Sequence, residues 1–280
     1  MREISFESIA EKISELCIEA NIVLPKDVGS LIDSACESES SSLGKSILRD
    51  LKRNYEMAQE KRIPICQDTG MAVVFAELGQ ELHITGGDFN EAIHEGVRRG
   101  YERGFLRKSI VSDPLRRVNT GDNTPAVIHA KIVPGDKLRL RLAPKGFGSE
   151  NMSAMKMLLP SSSSDAVIDF IIEAVKNAGS NPCPPVIVGV GLGGTIEMAA
   201  LLAKVALLRH MDKHHSDPFY AELEATALAR INELGIGPQG FGGKTTALAV
   251  NIETFPTHIA GMPCVVNMSC HVTRHAEAVL

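Results

Sequence analysis

Over the first sixty positions the apolar residues recur every three or four places. Phe6, Ile9, Ile13, Leu16, Cys17 and Ala20 form one stripe, and Val28, Leu31, Ile32 and Ala35 form a second that starts at Pro25. Ile47, Leu48, Leu51, Tyr55 and Ala58 form a third. Such spacing puts one face of each segment against a core and predicts three helices, the second opened by a proline that suits a first turn. From Ile63 the pattern changes to short apolar runs bounded by Gly and Pro, at Met71 to Phe75, Ala126 to Ile132, Lys137 to Leu142, Val186 to Val190, Ala247 to Ile252 and Cys264 to Met268. These read as strands. Helices are predicted between them at Phe89 to Arg103, Asp165 to Ala178, Thr195 to Arg209 and Pro218 to Leu234. The expected class is α+β, with N-terminal helices packed with a mixed β-sheet and further helices. One domain over residues 1–280 is expected, with a helical part about 1–60 and a part about 61–280 carrying the chemistry on loops.

Composition narrows the field. The 280 residues are 44% hydrophobic, with mean hydropathy near zero, as in a soluble globular protein. No apolar stretch has the length of a membrane span, and Met1-Arg2-Glu3-Ile4-Ser5 leads into an amphipathic pattern instead of a signal peptide, so a cytoplasmic location and no membrane association are expected. A net charge of -5 argues against nucleic-acid binding. Six cysteines without short regular spacing do not make a disulfide scaffold, and they suit a reducing compartment.

The cysteines divide into two sets. Cys17, Cys36 and Cys264 fall within apolar patterns and read as small hydrophobes. Cys66, Cys183 and Cys270 lie in Pro64-Ile65-Cys66-Gln67-Asp68-Thr69-Gly70, Asn181-Pro182-Cys183-Pro184-Pro185 and Asn267-Met268-Ser269-Cys270-His271, segments that can offer a thiolate to a metal. Three loop cysteines can converge on one iron–sulfur cluster and leave one iron open, a Lewis acid.

Other strings carry two readings. Asp68 sits two residues from Cys66, so both face one site if the segment is extended; an Asp-Thr-Gly turn is the commoner reading of the pentapeptide. Arg99, Arg103 and Arg107 make one stripe if the helix continues, either a solvated face or a cluster for a small carboxylate. The loops Asn119 to Pro125 and Lys145 to Asn151 can aim amides at an anion, though plain turns are commoner. Gly189, Gly191 and Gly194 match a dinucleotide fingerprint formally, but the helix that follows leads to His210-Met211-Asp212-Lys213-His214-His215 instead of a second strand with an acidic end. A glycine turn with close backbone approach is preferred there. Gly240 to Thr246 resembles the end of a phosphate-binding loop, but position 238 is proline where glycine is required. His210 with His214, and His271 with His275 beside Cys270, have zinc-like spacing, with surface histidines the plainer reading.

In series, these strings resemble the class I fumarate hydratase and L-tartrate dehydratase family of iron–sulfur hydro-lyases, in particular the α subunit of its two-subunit form. The matching strings are the Cys66 heptapeptide, Asn119 to Asn123, Lys145 to Asn151, Cys183-Pro184-Pro185, Gly189 to Gly194, Phe241 to Lys244 and Cys270-His271, in the family's order. The resemblance implies a 4Fe-4S cluster on Cys66, Cys183 and Cys270, whose open iron binds the substrate hydroxyl and a carboxylate oxygen. It implies catalytic roles for Asp68 as acid/base and for His258, which lies just upstream of Cys270. Substrate contacts are implied for Gln67, Arg107, Gly146, Gly148 and Lys244. The expected reaction is reversible hydration of fumarate to malate, with L-tartrate dehydration as the alternative; a nucleotide-binding protein using Gly189 to Gly194 is the rival from another class. Fused family members carry a second, swivelling domain beyond the last cysteine. Here little sequence follows Cys270, so a separate β subunit is expected to supply it, with the chain inactive alone and assembled as an α homodimer or α2β2. Cys264 stands where the family is usually apolar, so it is expected to pack.

Overall fold

The computed structural model describes residues 2–280, and the chain is α+β as expected. Its contacts divide into two compact units. The first comprises Met1–Pro25, Tyr55–Gly146 and Arg274–Leu280; the second comprises Lys26–Asn54 and Phe147–Thr273.

In the first unit, β1 (Arg2–Ser5) leads into α1 (Phe6–Ile22), which Ser5 caps by accepting the Ser8 N–H. A sheet of β2 (Met71–Gly79), β4 (Val127–Val133), β5 (Leu138–Lys145) and β10 (Ala276–Val279) has the order β10-β5-β2-β4, while β1 pairs in parallel with β3 (Leu82–Thr85). The alternation Leu138-Arg139-Leu140-Arg141-Leu142 explains the sheet's orientation. The three leucines are fully buried with Ile9, Ile13 and Cys17 of α1 and with Ile93, Val97 and Tyr101 of α4 (Phe89–Arg103), whereas Arg141 lies over the Phe75 ring.

The second unit begins with α2 (Lys26–Ser38) and the first part of α3 (Ser42–Lys61). After the single turn α5 (Phe147–Glu150) come β6 (Ala154–Leu158), α6 (Ser164–Ala178), β7 (Val186–Gly193), α7 (Ile196–Ala206), α8 (Pro218–Asn232), β8 (Ala247–Phe255) and β9 (Met262–Ser269). The sheet order is β6-β9-β7-β8, with β7 parallel to β8 and antiparallel to β9. Val188, Val190, Ile252 and Val266 face α6 and α8, and Ala199 and Ala203 of α7 pack with Val265.

The glycines of the dinucleotide-like string are used here. Gly189 and Gly191 lie within β7, not in a turn, and a Cβ on either would run into the carbonyl oxygens of Ala203 and Ala199. Their lack of side chains lets α7 lie directly on the strand. Thr195 and Glu197 hydrogen-bond each other at the first turn of α7, so the chain supplies its own carboxylate where a dinucleotide's phosphates would be sought.

The strands β1, β3, β6 and β10 escape the sequence reading because each has four or five residues and rests on partners distant in sequence. The arginine stripe is also corrected. The helix stops at Arg103, followed by Gly104 and by Phe105 in a left-handed conformation at φ 51. Arg99 pairs with Glu7 and Glu95, and Arg103 with Glu11 at 2.7 Å, so two of the three arginines bind α4 to its neighbours. Arg107 alone enters a loop. Among the described residues no helix is long and apolar enough to cross a membrane.

The glycine packing yields a direct expectation. Gly191→Ala should cost about 3 kcal/mol, because backbone and not a flexible side chain must yield. Chemical denaturation measures this, and an unchanged midpoint would show that α7 does not depend on the close approach.

Candidate active site

In the first unit, the segment from Cys66 to Gly70 precedes β2 and has no strand to pair with, so its backbone groups must find other partners. Tyr101, buried on α4, places its hydroxyl 2.7 Å from the Thr69 carbonyl and 2.9 Å from the Gly70 carbonyl. Asn123 Nδ2 donates to the same Gly70 oxygen at 3.3 Å, and buried Arg274 donates from Nη2 to the Asp68 carbonyl. The segment is thereby fixed from three places distant in sequence. Burial pushes the Tyr101 phenol well above its usual range, keeping it a neutral donor.

The same contacts bring Arg107 alongside. The Thr69 hydroxyl donates to the Arg107 carbonyl at 3.1 Å, and Asn123 Oδ1 accepts the Ser109 amide at 2.7 Å. Asp68 accepts the Gly70 amide on Oδ1 at 3.0 Å, which is the turn the pentapeptide favours. Its other oxygen faces Gly146, where an added Cβ would come within 3.1 Å of Oδ2. Cys66 directs its thiol at Gln67 Oε1, 3.4 Å away. The structure thus gathers Cys66, Gln67, Asp68, Arg107 and Gly146 around one short segment. The loop from Asn119 to Pro125 proves to be turns: Asn119 accepts the Gly121 amide, and Asp122 the Thr124 amide.

In the second unit, the loops of Cys183 and Cys270 are bracketed together. The Cys183 carbonyl accepts from the His271 amide at 3.4 Å and lies 3.0 Å from His271 Nδ1, which therefore carries the ring proton when that bond forms. Gln239 donates from both its amide and Nε2 to the Pro184 carbonyl, at 2.7 and 2.8 Å, and its Nε2 lies 3.2 Å from His271 Nδ1, which accepts from it in the tautomer that does not donate to Cys183. Both Cys183, at φ 55, and Gln239, at φ 53, hold left-handed backbone that such contacts must stabilise. Gly148 follows in the turn of α5, facing the Asn181 carbonyl.

Lys244 is exposed on the loop that resembles a phosphate-binding turn, and that loop's amides already have an anion. Glu39, 1% exposed at the end of α2, accepts the Ser40, Ser41 and Lys244 amides on Oε1 and the Thr245 amide on Oε2, at 2.8 to 3.0 Å. Burial alone would raise its pKa, but the Lys244, Ser41 and Thr245 amides and the Thr245 hydroxyl lower it to about 2. Gly243 must be glycine here, because at φ 126 a Cβ would press to 2.9 Å from Glu39 Oε1. Sequence reading missed Glu39 because nothing links it to residues some two hundred positions away.

His258 lies in the exposed loop after β8, accepting the Ala260 amide at 3.2 Å and lining an open, mostly apolar hollow of about 480 Å³ with Met157, Ile196 and Pro263. The zinc-like spacings are not helical. Residues 210–215 are irregular, with a turn at 211–212, and His210 bonds Asp212, while His271 Nδ1 lies in the bracket. Among the described residues no group of three or more His, Cys, Asp or Glu side chains is arranged around a metal position.

The donor set fits a thiolate-bound group. Cys66, Cys183 and Cys270 are in no disulfide and lie at partly or fully exposed loop positions. Cys17 and Cys264 are buried, and burial pushes their thiols up, Cys264 to about 12, which makes them inert packing residues. Cys36 is only half-buried.

Comparison with known proteins identifies the class as a hydro-lyase. The family described as fumarate hydratase (Fumerase) matches residues 10–279. The chain is 40% identical over 274 residues to a protein of Methanocaldococcus jannaschii named putative L(+)-tartrate dehydratase subunit alpha, covering 96% of each. It is 30% identical over 282 residues to the L(+)-tartrate dehydratase subunit alpha of Escherichia coli (strain UTI89 / UPEC), covering 98% of this chain and 92% of that protein, and it matches the Shigella sonnei counterpart equally. The chain belongs to the class I fumarate hydratase family.

Two expectations follow. Tyr101→Phe strips the buried Thr69 and Gly70 carbonyls of a donor and should cost about 1–3 kcal/mol in chemical denaturation. Because the folded pKa of Glu39 lies below its unfolded value near 4.3, its contribution is complete above that value and disappears as pH falls towards about 2. The stability gap between wild type and Glu39→Gln, on the order of 3 kcal/mol at neutral pH, should therefore narrow on acidification; a gap independent of pH would contradict the assignment.

Proposed function

We propose that this chain, as one domain over residues 1–280, is the α subunit of a two-subunit hydro-lyase that interconverts fumarate and malate. The observation that carries the reading is the bracket joining the Cys183 and Cys270 loops through His271 and Gln239, since it gives two distant thiols a common support. Cys66, Cys183 and Cys270 would hold a 4Fe-4S cluster. When bound, the cluster supplies an open iron as Lewis acid for the substrate hydroxyl and a carboxylate oxygen.

The chain's own residues have defined tasks in this reading. Asp68 exchanges a proton at the substrate hydroxyl, its own carbonyl held by Arg274 and the next two by Tyr101, so that the carboxylate is preorganised. Arg107 grips a substrate carboxylate through its guanidinium fork, and the Thr69 bond keeps that loop beside Asp68. Gln67 and the backbone at Gly146 and Gly148 border the substrate, Lys244 supplies a further cation, and His258 hydrogen-bonds substrate or the acid. A separate β subunit with the swivelling domain completes the site, in an α2β2 assembly or one built on an α homodimer, in the cytoplasm. L-Tartrate is the second reading, favoured by the names of the relatives at 40% and 30% identity.

Anaerobic purification with iron and sulfide analysis tests the cofactor. About four irons per chain are expected, with loss in Cys66→Ser, Cys183→Ser and Cys270→Ser, and a colourless wild-type protein would refute the reading. Steady-state assays of the αβ complex with malate and with L-tartrate decide the substrate; the higher kcat/KM is expected for malate, and the chain alone should not turn over. Activity should decay in air, because an iron open to substrate is open to oxygen.

A further inference from the structure

The loop over residues 237–246 carries Gln239 and Lys244, which the functional reading uses in different ways. At one end, Gln239 holds the Pro184 carbonyl and reaches His271, supporting the loops that carry Cys183 and Cys270. At the other end it presents Lys244. Between them the loop is closed on itself: the Gly242 amide donates to the Ile236 carbonyl at 2.9 Å, Gly240 to Gly237 at 3.1 Å, and Gly237 to the Thr246 hydroxyl at 3.2 Å. Asn232 Oδ1 accepts the Thr246 and Ala247 amides at 2.8 and 2.9 Å. The segment is therefore a strap braced by its own hydrogen bonds.

Its Lys244 end has one anchor of a different kind. The Lys244 and Thr245 amides point at Glu39, which also accepts Ser40 and Ser41 amides at the end of α2. A carboxylate that accepts charge-assisted bonds from two chain segments ties them more strongly than a neutral acceptor can. A glutamine in its place would have one acceptor oxygen and an NH2 group facing N–H groups.

We propose that Glu39 is a positioning residue of the hydro-lyase site: by gathering the Lys244 and Thr245 amides it fixes the strap, and through the strap it sets where Lys244 meets substrate and how firmly Gln239 holds the Cys183 and His271 loops. This rests on the functional reading above. Glu39 touches no reacting atom, and its effect travels through backbone.

The test uses the anaerobic αβ complex with wild type, Glu39→Gln, Glu39→Asp, Gly243→Ala and Gln239→Ala. Glu39→Gln should raise KM for malate about tenfold while kcat falls much less, because a displaced cation weakens binding before chemistry. The same variant should lose cluster absorbance severalfold faster under an iron chelator, as should Gln239→Ala. Gly243→Ala keeps the carboxylate but crowds it at 2.9 Å, and should reproduce the KM effect; Glu39→Asp, which retains the charge, should recover part of it. A Glu39→Gln complex that melts earlier yet keeps wild-type KM and wild-type cluster loss would overturn the proposal and leave Glu39 a structural residue. A wild-type complex with neither cluster nor turnover would sink the functional reading instead. Amide exchange at Lys244 and Thr245 would then still judge the anchor, since rates unchanged in Glu39→Gln would remove it.

Discussion

Loops that carry chemistry cannot satisfy their backbone groups with a ladder, and an unpaired buried amide or carbonyl costs as much as a lost hydrogen bond. In this chain the partners are side chains sent from distant elements. Tyr101 from α4, Asn123 from a turn and Arg274 near the C-terminus hold the carbonyls of residues 68–70. Gln239 holds Pro184, and Glu39 holds the Lys244 and Thr245 amides. The sheets position these side chains; the side chains position the site.

Each unit has a similar division of labour. In the first, the leucines of β5 fix the sheet against α1 and α4, and α4 then delivers Tyr101 to the Cys66–Gly70 segment. In the second, glycines on β7 let α7 lie close on one face while α6 and α8 cover the other. That close packing buries the sheet whose ends lead into the Cys183 and Cys270 loops. Rigid layers underneath, with loops clamped by polar side chains above, are what a preorganised site requires.

Charge is distributed in the same spirit. Arg98, Arg99 and Arg103 are consumed by Glu7, Glu11, Glu91 and Glu95, mostly at partly exposed positions where each pair contributes little to stability. Arg107 lies beyond the helix end, outside that network. Glu39 represents the opposite case, a buried carboxylate kept charged by the amides around it.

The sequence by itself determined the helices, the longer strands and the separation of Cys66, Cys183 and Cys270 from Cys17 and Cys264, because periodicity and local turn residues are short-range properties of the chain. It also made Asp68 and Arg107 visible as candidates. Tertiary structure decided that Gly189 and Gly191 serve helix packing and not a nucleotide, that two arginines of the stripe are structural, and that β1, β3, β6 and β10 exist at all. It alone made Glu39, Tyr101, Gln239 and Arg274 legible. Their partners lie from about thirty to more than two hundred residues away, and such pairings depend on the closure of the whole fold, which no local pattern of residue types encodes.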